Sequence, residues 1–223
     1  MNVGILLVLA SNSPRRRQLL SLGGWEFAIR PADVDESIRP GEAADVYVRR
    51  LAEVKARACV REAQPGETII AADTSVVIDR EILGKPGSPA EATGMLTRLR
   101  GRSHQVLTAI AVLQVGDSQP ITDLCTTDVP MRPLSDAEIA AYVASDDPYD
   151  KAGGYAIQHD GFQPVERLDG CFASVMGLPL CHLVRTLRQI GVNPQADIPQ
   201  SCQTHLKYEC PIFPAVLRGE NIG

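Results

Sequence analysis

Hydrophobic and polar positions alternate between two regimes along this chain, and the switches between them mark out its elements. Residues 4–10 are a continuous apolar run, the pattern of a strand buried on both faces. Ser13 followed by Pro14 is a helix start, a hydroxyl to cap the first turn with a proline at its first position. A helix is predicted from there to about Leu22, stopped by Gly23-Gly24. After the polar residues 33–44, a second helix is predicted over residues 45–63, with Val46, Val48, Leu51, Ala52, Val54 and Ala58 roughly on a helical period. Residues 68–72 read as another buried strand ending at Asp73, and residues 75–79 with Ile82-Leu83 as a hairpin around Arg80-Glu81.

The second half continues the alternation. Ser88-Pro89-Ala90-Glu91 has the spacing of a capping box and predicts a helix to Arg100, ending at Gly101. Residues 105–115 and 121–131 read as two longer strands. Ser135 and Glu138 form a second capping box, opening a helix to about Ala144. Residues 146–154 read as a loop, residues 155–158 and 162–165 as short strands. Gly177-Leu178-Pro179 opens a last helix that closes at Gly191, and beyond Asn193 the periodicity fades. The expected fold class is therefore α/β, a mixed twisted sheet with flanking helices, because hairpins interrupt the strand–helix alternation. One domain over residues 1–192 and a tail over residues 193–223 are expected.

Composition narrows the function classes. A chain of 223 residues can bury a sizeable core, and 44% hydrophobic with 22% charged residues is ordinary for a soluble protein. A net charge of −5 and only 4% aromatics argue against binding a nucleic-acid polymer, which asks for a basic surface or stacking platforms. No apolar run reaches the roughly 18–20 residues of a membrane span. The apolar N-terminus lacks a charged leader region, so no membrane partner and a cytoplasmic location are expected. The six cysteines (59, 125, 171, 181, 202 and 210) show no CxxC spacing and are expected to be free thiols. Cys171, Cys181, Cys202 and Cys210 would form a metal cluster only if the fold gathered them.

Candidate chemistry begins at the first strand–helix turn. Ser11 and Ser13 arrive at a helix N-terminus, where free N–H groups and partial positive charge suit phosphate, and Arg15 and Arg16 add forked donors. A capped helix with solvated arginines fits those residues equally well. Asp73 closes an apolar run, and Glu36 stands in a polar connection beside Asp35. Together Glu36 and Asp73 could supply carboxylate oxygens to a hard divalent cation, and one of them could orient an attacking water. Lys55, Lys85 in Gly84-Lys85-Pro86, and Lys151 in Asp150-Lys151-Ala152-Gly153-Gly154 could neutralise phosphate charge; singly, each reads as a solvated lysine. There is no GxxxxGK[ST], no GxGxxG opening a helix after a strand, no HExxH and no GxSxG.

Taken in order, these blocks resemble the Maf family of nucleotide pyrophosphatases. The resemblance is carried by Leu9-Ala10-Ser11-Asn12-Ser13-Pro14-Arg15-Arg16, Val34-Asp35-Glu36, Leu51-Ala52 with Lys55-Ala56, and Ala72-Asp73-Thr74. It continues through Leu83-Gly84-Lys85-Pro86, His104-Gln105-Val106-Leu107-Thr108, Asp150-Lys151-Ala152-Gly153-Gly154-Tyr155-Ala156-Ile157-Gln158 and Gly177-Leu178-Pro179-Leu180. It implies a fold like that of the inosine triphosphate pyrophosphatases, two lobes around a cleft. It implies hydrolysis of a nucleoside triphosphate to monophosphate and pyrophosphate with a divalent cation, Mg²⁺ or alternatively Mn²⁺ or Co²⁺. Asp73 matches the family's catalytic base; Glu36, Lys55 and Lys85 match positions of metal and phosphate binding; Arg15, Thr74 and Gln158 match positions linked to base selection. The block from Asp150 to Gln158 is similar to the subgroup acting on dTTP and UTP, and a homodimer is compatible with the resemblance.

Two departures stand out. Gly170-Cys171-Phe172-Ala173-Ser174-Val175-Met176 replaces the more usual Gly-Ser-Tyr-x-Asn-Val-Val, and residues after Asn193 have no counterpart in the family pattern. Two other readings remain open: a pyrophosphatase for modified purine triphosphates, and a non-catalytic nucleotide-binding regulator of septum formation.

Overall fold

The computed structural model describes residues 6–223, so Gly4 and Ile5 of the first predicted strand lie outside the described residues. The described residues form a six-stranded mixed sheet flanked by helices, as the pattern predicts. The strands are β1 (Leu6–Leu9), β2 (Phe27–Ile29), β3 (Glu67–Ile78), β4 (Glu81–Leu83), β5 (Ser103–Gln114) and β6 (Ile121–Pro130). Along the sheet they run β2-β1-β3-β5-β6, with β4 also on β3. The β2, β1 and β3 strands are parallel neighbours, whereas β3 pairs antiparallel with β4 and β5, and β5 with β6. The helices are α1 (Pro14–Ser21), α2 (Ala44–Val60), α3 (Pro89–Leu99), α4 (Asp136–Val143), α5 (Phe172–Met176), α6 (Leu180–Arg188), α7 (Ile198–Leu206) and α8 (Phe213–Leu217). Among the described residues, no helix is long and apolar enough to cross a membrane.

The β3 strand organises the rest. Its side chains alternate between the two faces. Ile69, Ala71 and Val77 join a core under α2 with Val48, Leu51, Ala52 and Ala56. Ile70, Ala72, Val76 and Ile78 join the larger core under the other helices. Along one edge, β3 pairs with β5 from Thr68 to Val77. Along the other it pairs with β1 at residues 67–70 and with β4 at residues 76–78. Residues 71–75 therefore face a gap in that edge, and the gap opens as a cleft between the lobe of β1 and the lobe of β4.

Several expectations change. The predicted strand ending at Asp73 and the first arm of the hairpin are one continuous strand, with Asp73 inside it. Pairing to β5 carries the backbone through the polar Asp73-Thr74-Ser75, with Asp73 meeting Lys55 and Thr74 meeting Arg16 and Thr108. Residues 155–158 and 162–165 are turns and irregular backbone rather than strands. Ser135 and Glu138 make a full capping box, but at α3 Ser88 accepts from Glu91 N while Glu91 Oε2 reaches past it to Gly87 N. The helix predicted after Gly177-Leu178-Pro179 is α6, and ahead of it stands the unpredicted short α5, which Gly177 ends at φ +113°. The segment beyond Asn193 forms α7 and α8, the first capped by Asp197. On α2 the buried stripe is Tyr47, Val48, Leu51, Ala52, Lys55, Ala56 and Cys59, rotated from the apolar count; Val46 is exposed.

Candidate active site

The cleft at the β3 edge is a series of three adjoining hollows that share Arg16 and Lys85. Every site residue named from the sequence lines at least one of them: Ser11, Ser13, Arg15, Arg16, Glu36, Lys55, Asp73, Thr74, Lys85, Lys151 and Gln158.

The first hollow surrounds the turn between β1 and α1. Ser13 caps α1, its Oγ accepting from Arg16 N at 3.4 Å, while Ser11 Oγ accepts from Ser13 N at 3.1 Å. The strand ends at Leu9, so residues 10–13 curl over the gap and present the helix start to it. This is the geometry in which backbone N–H groups meet an anion.

In the second hollow, two carboxylates converge on one ammonium. Lys55 Nζ lies 2.6 Å from Glu36 Oε1 and 2.7 Å from Asp73 Oδ1. The Lys55 and Asp73 side chains are nearly buried, at 10% and 9% exposure, while Glu36 keeps 46%. Lys55 sits in the buried stripe of α2, and Asp73 faces α2 because its odd-numbered neighbours on β3 do. The loop carrying Glu36 is tied down by Tyr47, whose hydroxyl donates to Glu36 O at 2.8 Å. Burial pushes the Glu36 pKa up, but the hydrogen bond from Lys55 and the charges of Lys55, Lys85 and Arg16 outweigh it and hold it below the usual value. Asp35, by contrast, turns its Oδ1 to Ser37 N at 2.9 Å and serves the loop.

The third hollow lies across the sheet edge on the opposite face. Thr74, one residue on from Asp73, points this way. Arg16 is half-buried and donates from Nη2 to Thr74 Oγ1 at 3.1 Å and from Nε to Gly177 O at 2.8 Å. Burial lowers the Arg16 pKa from its usual value, and Asp73 opposes that shift. Thr108 on β5 reaches Thr74 Oγ1 at 3.0 Å and Ser174 O at 2.8 Å, so it links β3 and β5 to α5. Val76, Val106, Val175 and Met176 make the apolar wall, and Gln158 and Tyr155 stand beside it.

Residues 147–158 close this hollow. Gly153, at φ +70°, donates to Gly84 O at 2.9 Å, and a Cβ there would meet Val76 Cγ1 at 2.9 Å; only glycine fits. Lys151 is buried and spends its N–H groups inside this loop, on Asp147 O at 2.6 Å, Asp150 Oδ1 at 2.5 Å and Asp147 Oδ1 at 3.0 Å. Its placement is that of a brace. Lys85 is exposed on the cleft rim and makes no salt bridge among the described residues. Sequence reading passed over Asp150 as a site residue, although it pairs with Arg15 at 3.0 Å across the cleft mouth. It also passed over Tyr142, whose hydroxyl donates to Asp147 Oδ2 at 2.5 Å and accepts from Ala156 N at 3.0 Å.

A family model for Maf-like proteins matches residues 6–190, which hold all of these groups. The chain belongs to the Maf family. Among curated relatives of this Maf-family chain, the dTTP/UTP pyrophosphatase of Hahella chejuensis is 45% identical over 193 residues, covering 86% of this chain and 95% of that protein. The dTTP/UTP pyrophosphatase of Methylobacillus flagellatus is 46% identical over 187 residues, covering 83% and 93%. That of Geotalea uraniireducens is 44% identical over 185 residues, covering 83% and 95%. Solved structures are more distant. The Staphylococcus aureus Ham1 protein gives a TM-score of 0.46 at 16% identity, covering 91% of this chain and 98% of that one.

Proposed function

We propose that this Maf-family protein hydrolyses dTTP and UTP, or modified pyrimidine triphosphates, to the nucleoside monophosphate and pyrophosphate with the help of a divalent cation. The observation that carries the reading is the convergence of Glu36 and Asp73 on Lys55 at one end of a cleft whose other end is an apolar, hydroxyl-lined slot. The names of the relatives point to the same pyrimidine triphosphates.

The donor set fits a hard cation. Two carboxylate oxygens already face one positive charge, and Mg²⁺ characteristically uses one or two carboxylates and completes its shell with water and substrate phosphates. Glu36 and Asp73 would hold it, and when bound it would withdraw charge from the phosphate oxygens. In this reading Asp73 also accepts the proton of the attacking water, with Lys55 holding the carboxylate in place. Ser11, Ser13 and the α1 N-terminus receive the phosphates, and Lys85 on the rim neutralises charge as the anhydride bond breaks. Thr74, Arg16 and Gln158 meet the base edge, where buried hydrogen bonds discriminate strongly. Lys151 acts one step back, by holding the loop that carries Gln158.

The test is a panel of canonical and modified triphosphates assayed with Mg²⁺, Mn²⁺ and Co²⁺, with product analysis. We expect dTTP and UTP to be preferred and pyrophosphate to be released. Asp73→Asn is expected to lose at least about a hundredfold in turnover while keeping nucleotide binding. Release of orthophosphate and nucleoside diphosphate alone would refute the pyrophosphatase reading. Binding without turnover would favour the regulatory one.

A further inference from the structure

Four groups stand in one hydrogen-bonded line from α1 to α5. Arg16 Nη2, Thr74 Oγ1, Thr108 Oγ1 and Ser174 O follow one another at 3.1, 3.0 and 2.8 Å. The ends of the line are fixed in kind, because a guanidinium only donates and a carbonyl only accepts, whereas each hydroxyl has a single proton to give. Ser174 O also accepts from Gly177 N at 2.9 Å, which holds it in place at the end of α5.

The supply of protons sets the direction of the whole line. Thr108 is fully buried, and its 2.8 Å contact with Ser174 O takes its only proton. Thr108 Oγ1 can then only accept from Thr74, so the Thr74 hydroxyl donates inward. The reverse arrangement would leave the lone pairs of Thr108 Oγ1 and Ser174 O facing each other 2.8 Å apart, at a side chain shut off from water. Arg16 occupies one lone pair of Thr74 Oγ1, which leaves one for a ligand. Thr74 keeps partial exposure in the slot, and Gly177 places no side chain over it; a Cβ there would stand 3.4 Å from Thr74 Oγ1.

We propose that Thr108 is a positioning residue for base selection: by taking the Thr74 proton it makes Thr74 an acceptor-only contact, which selects a base that presents a ring N–H. The inference rests on the slot being the base site of a nucleotide pyrophosphatase. Uracil and thymine both carry the N3–H, whereas neutral cytosine has a bare lone pair there, which would oppose the lone pair of Thr74. The relay does not read the ring carbon at which thymine bears its methyl group, so it treats uracil and thymine alike. Gln158 also lines the slot, but an amide can turn either its oxygen or its NH₂ to a ligand, so it follows the base rather than choosing it. Thr74 lacks that freedom because Thr108 holds its proton. A site built to pair with a donor rejects a base without one, because its own polar group is left unpaired.

The test titrates the full chain with α,β-methylene analogues of UTP and CTP in the presence of Mg²⁺, and measures hydrolysis of UTP and CTP in parallel. The wild-type chain is expected to bind the uridine analogue at least about tenfold more tightly than the cytidine one. Thr108→Val keeps the shape of the side chain but frees the Thr74 proton to turn outward, and the preference is expected to shrink to within about threefold. Thr108→Ser returns the hydroxyl without the methyl group and is expected to restore the preference, which a purely packing role of Thr108 would not do. Equal binding of the two analogues by wild type, binding of neither, or a wild-type ratio in Thr108→Val overturns the proposal. The wild-type comparison decides even if Thr108→Val does not fold. Selective binding without turnover supports the relay and sinks the pyrophosphatase reading; equal binding with turnover of both triphosphates does the reverse.

Discussion

Removing Lys55 should destabilise the protein in a manner that depends on its two carboxylate partners and on pH. In Lys55→Met the aliphatic stem is kept while Glu36 Oε1 and Asp73 Oδ1, held at 2.6 and 2.7 Å from Nζ, lose their shared counter-charge. Stripping one partner from a buried ion pair costs about 3–5 kcal/mol. Glu36 keeps 46% exposure, so water takes over part of its charge and the low end, about 3 kcal/mol, applies. For a chain of this size that is a fall in Tm of about 6–12 °C. Asp73→Asn in the same background removes the stranded buried charge, so the double variant should recover about 2 kcal/mol of the loss. The pH sign follows from Glu36, whose folded pKa lies below its ordinary 4.5. A depressed carboxylate contributes stability above its unfolded pKa and loses it as pH falls through the folded one. The gap between wild type and Lys55→Met should therefore be full at neutral pH and narrow below 4.5. Thermal and urea unfolding followed by circular dichroism measure each term. Equal stability at neutral pH, or strictly additive single variants, would refute the argument that the three groups act as one unit.

Two further outcomes are expected. Burial pulls the His104 pKa from 6.5 down to about 4, so the unfolded chain binds a proton that the folded one refuses; stability is full above 6.5 and falls by about 3 kcal/mol as pH drops toward 4. A His104→Gln protein should show a flatter stability profile across that window, and a profile parallel to wild type would count against burial as the cause. Tyr142→Phe keeps the ring stacked on Phe162, with centroids 3.9 Å apart, but strands Ala156 N and releases Asp147, at a cost of about 1–3 kcal/mol. It should raise KM for the nucleotide more than it lowers kcat, and steady-state kinetics showing the reverse split would contradict a positioning role.

The sheet was legible because its signals are local. The apolar run of β1, the Ser13-Pro14 start and the Ser135–Glu138 box each specify an element from a few neighbouring residues. Expectations failed where pairing partners decide. No local feature shows that β3 runs on through Asp73-Thr74-Ser75, because register with β5 imposes it. Residues 155–158 have strand-like side chains but form irregular backbone and a turn, with Tyr155 Oη 2.7 Å from His104 Nε2. The α7 helix carried a readable start in Asp197-Ile198-Pro199-Gln200, hidden by a weak apolar period in which only Ile198 is buried. Of the site, Lys55 was more legible than the apolar count suggested. It falls on the stripe of Val48, Leu51, Ala52 and Cys59, and a lysine there must find an anion. Asp150 and Tyr142 were not, since their partners Arg15, Asp147 and Ala156 come together only through tertiary packing.

The alternation of β3 has a consequence for how such a site can change. Asp73 faces α2 and the Glu36–Lys55 group, while Thr74 faces Arg16, Thr108 and α5. In the proposed function, the carboxylate group and the base-facing group therefore hang from adjacent residues on opposite faces of one strand. The sequence departure at residues 170–176 falls entirely on the Thr74 side, where Val175 and Met176 line the slot and Ser174 O meets Thr108. None of those residues borders the hollow that holds Glu36, Lys55 and Asp73. Substitution in α5 thus reshapes the Thr74-side hollow without touching the carboxylates, so under the proposed function the chemistry can stay fixed while nucleotide preference moves.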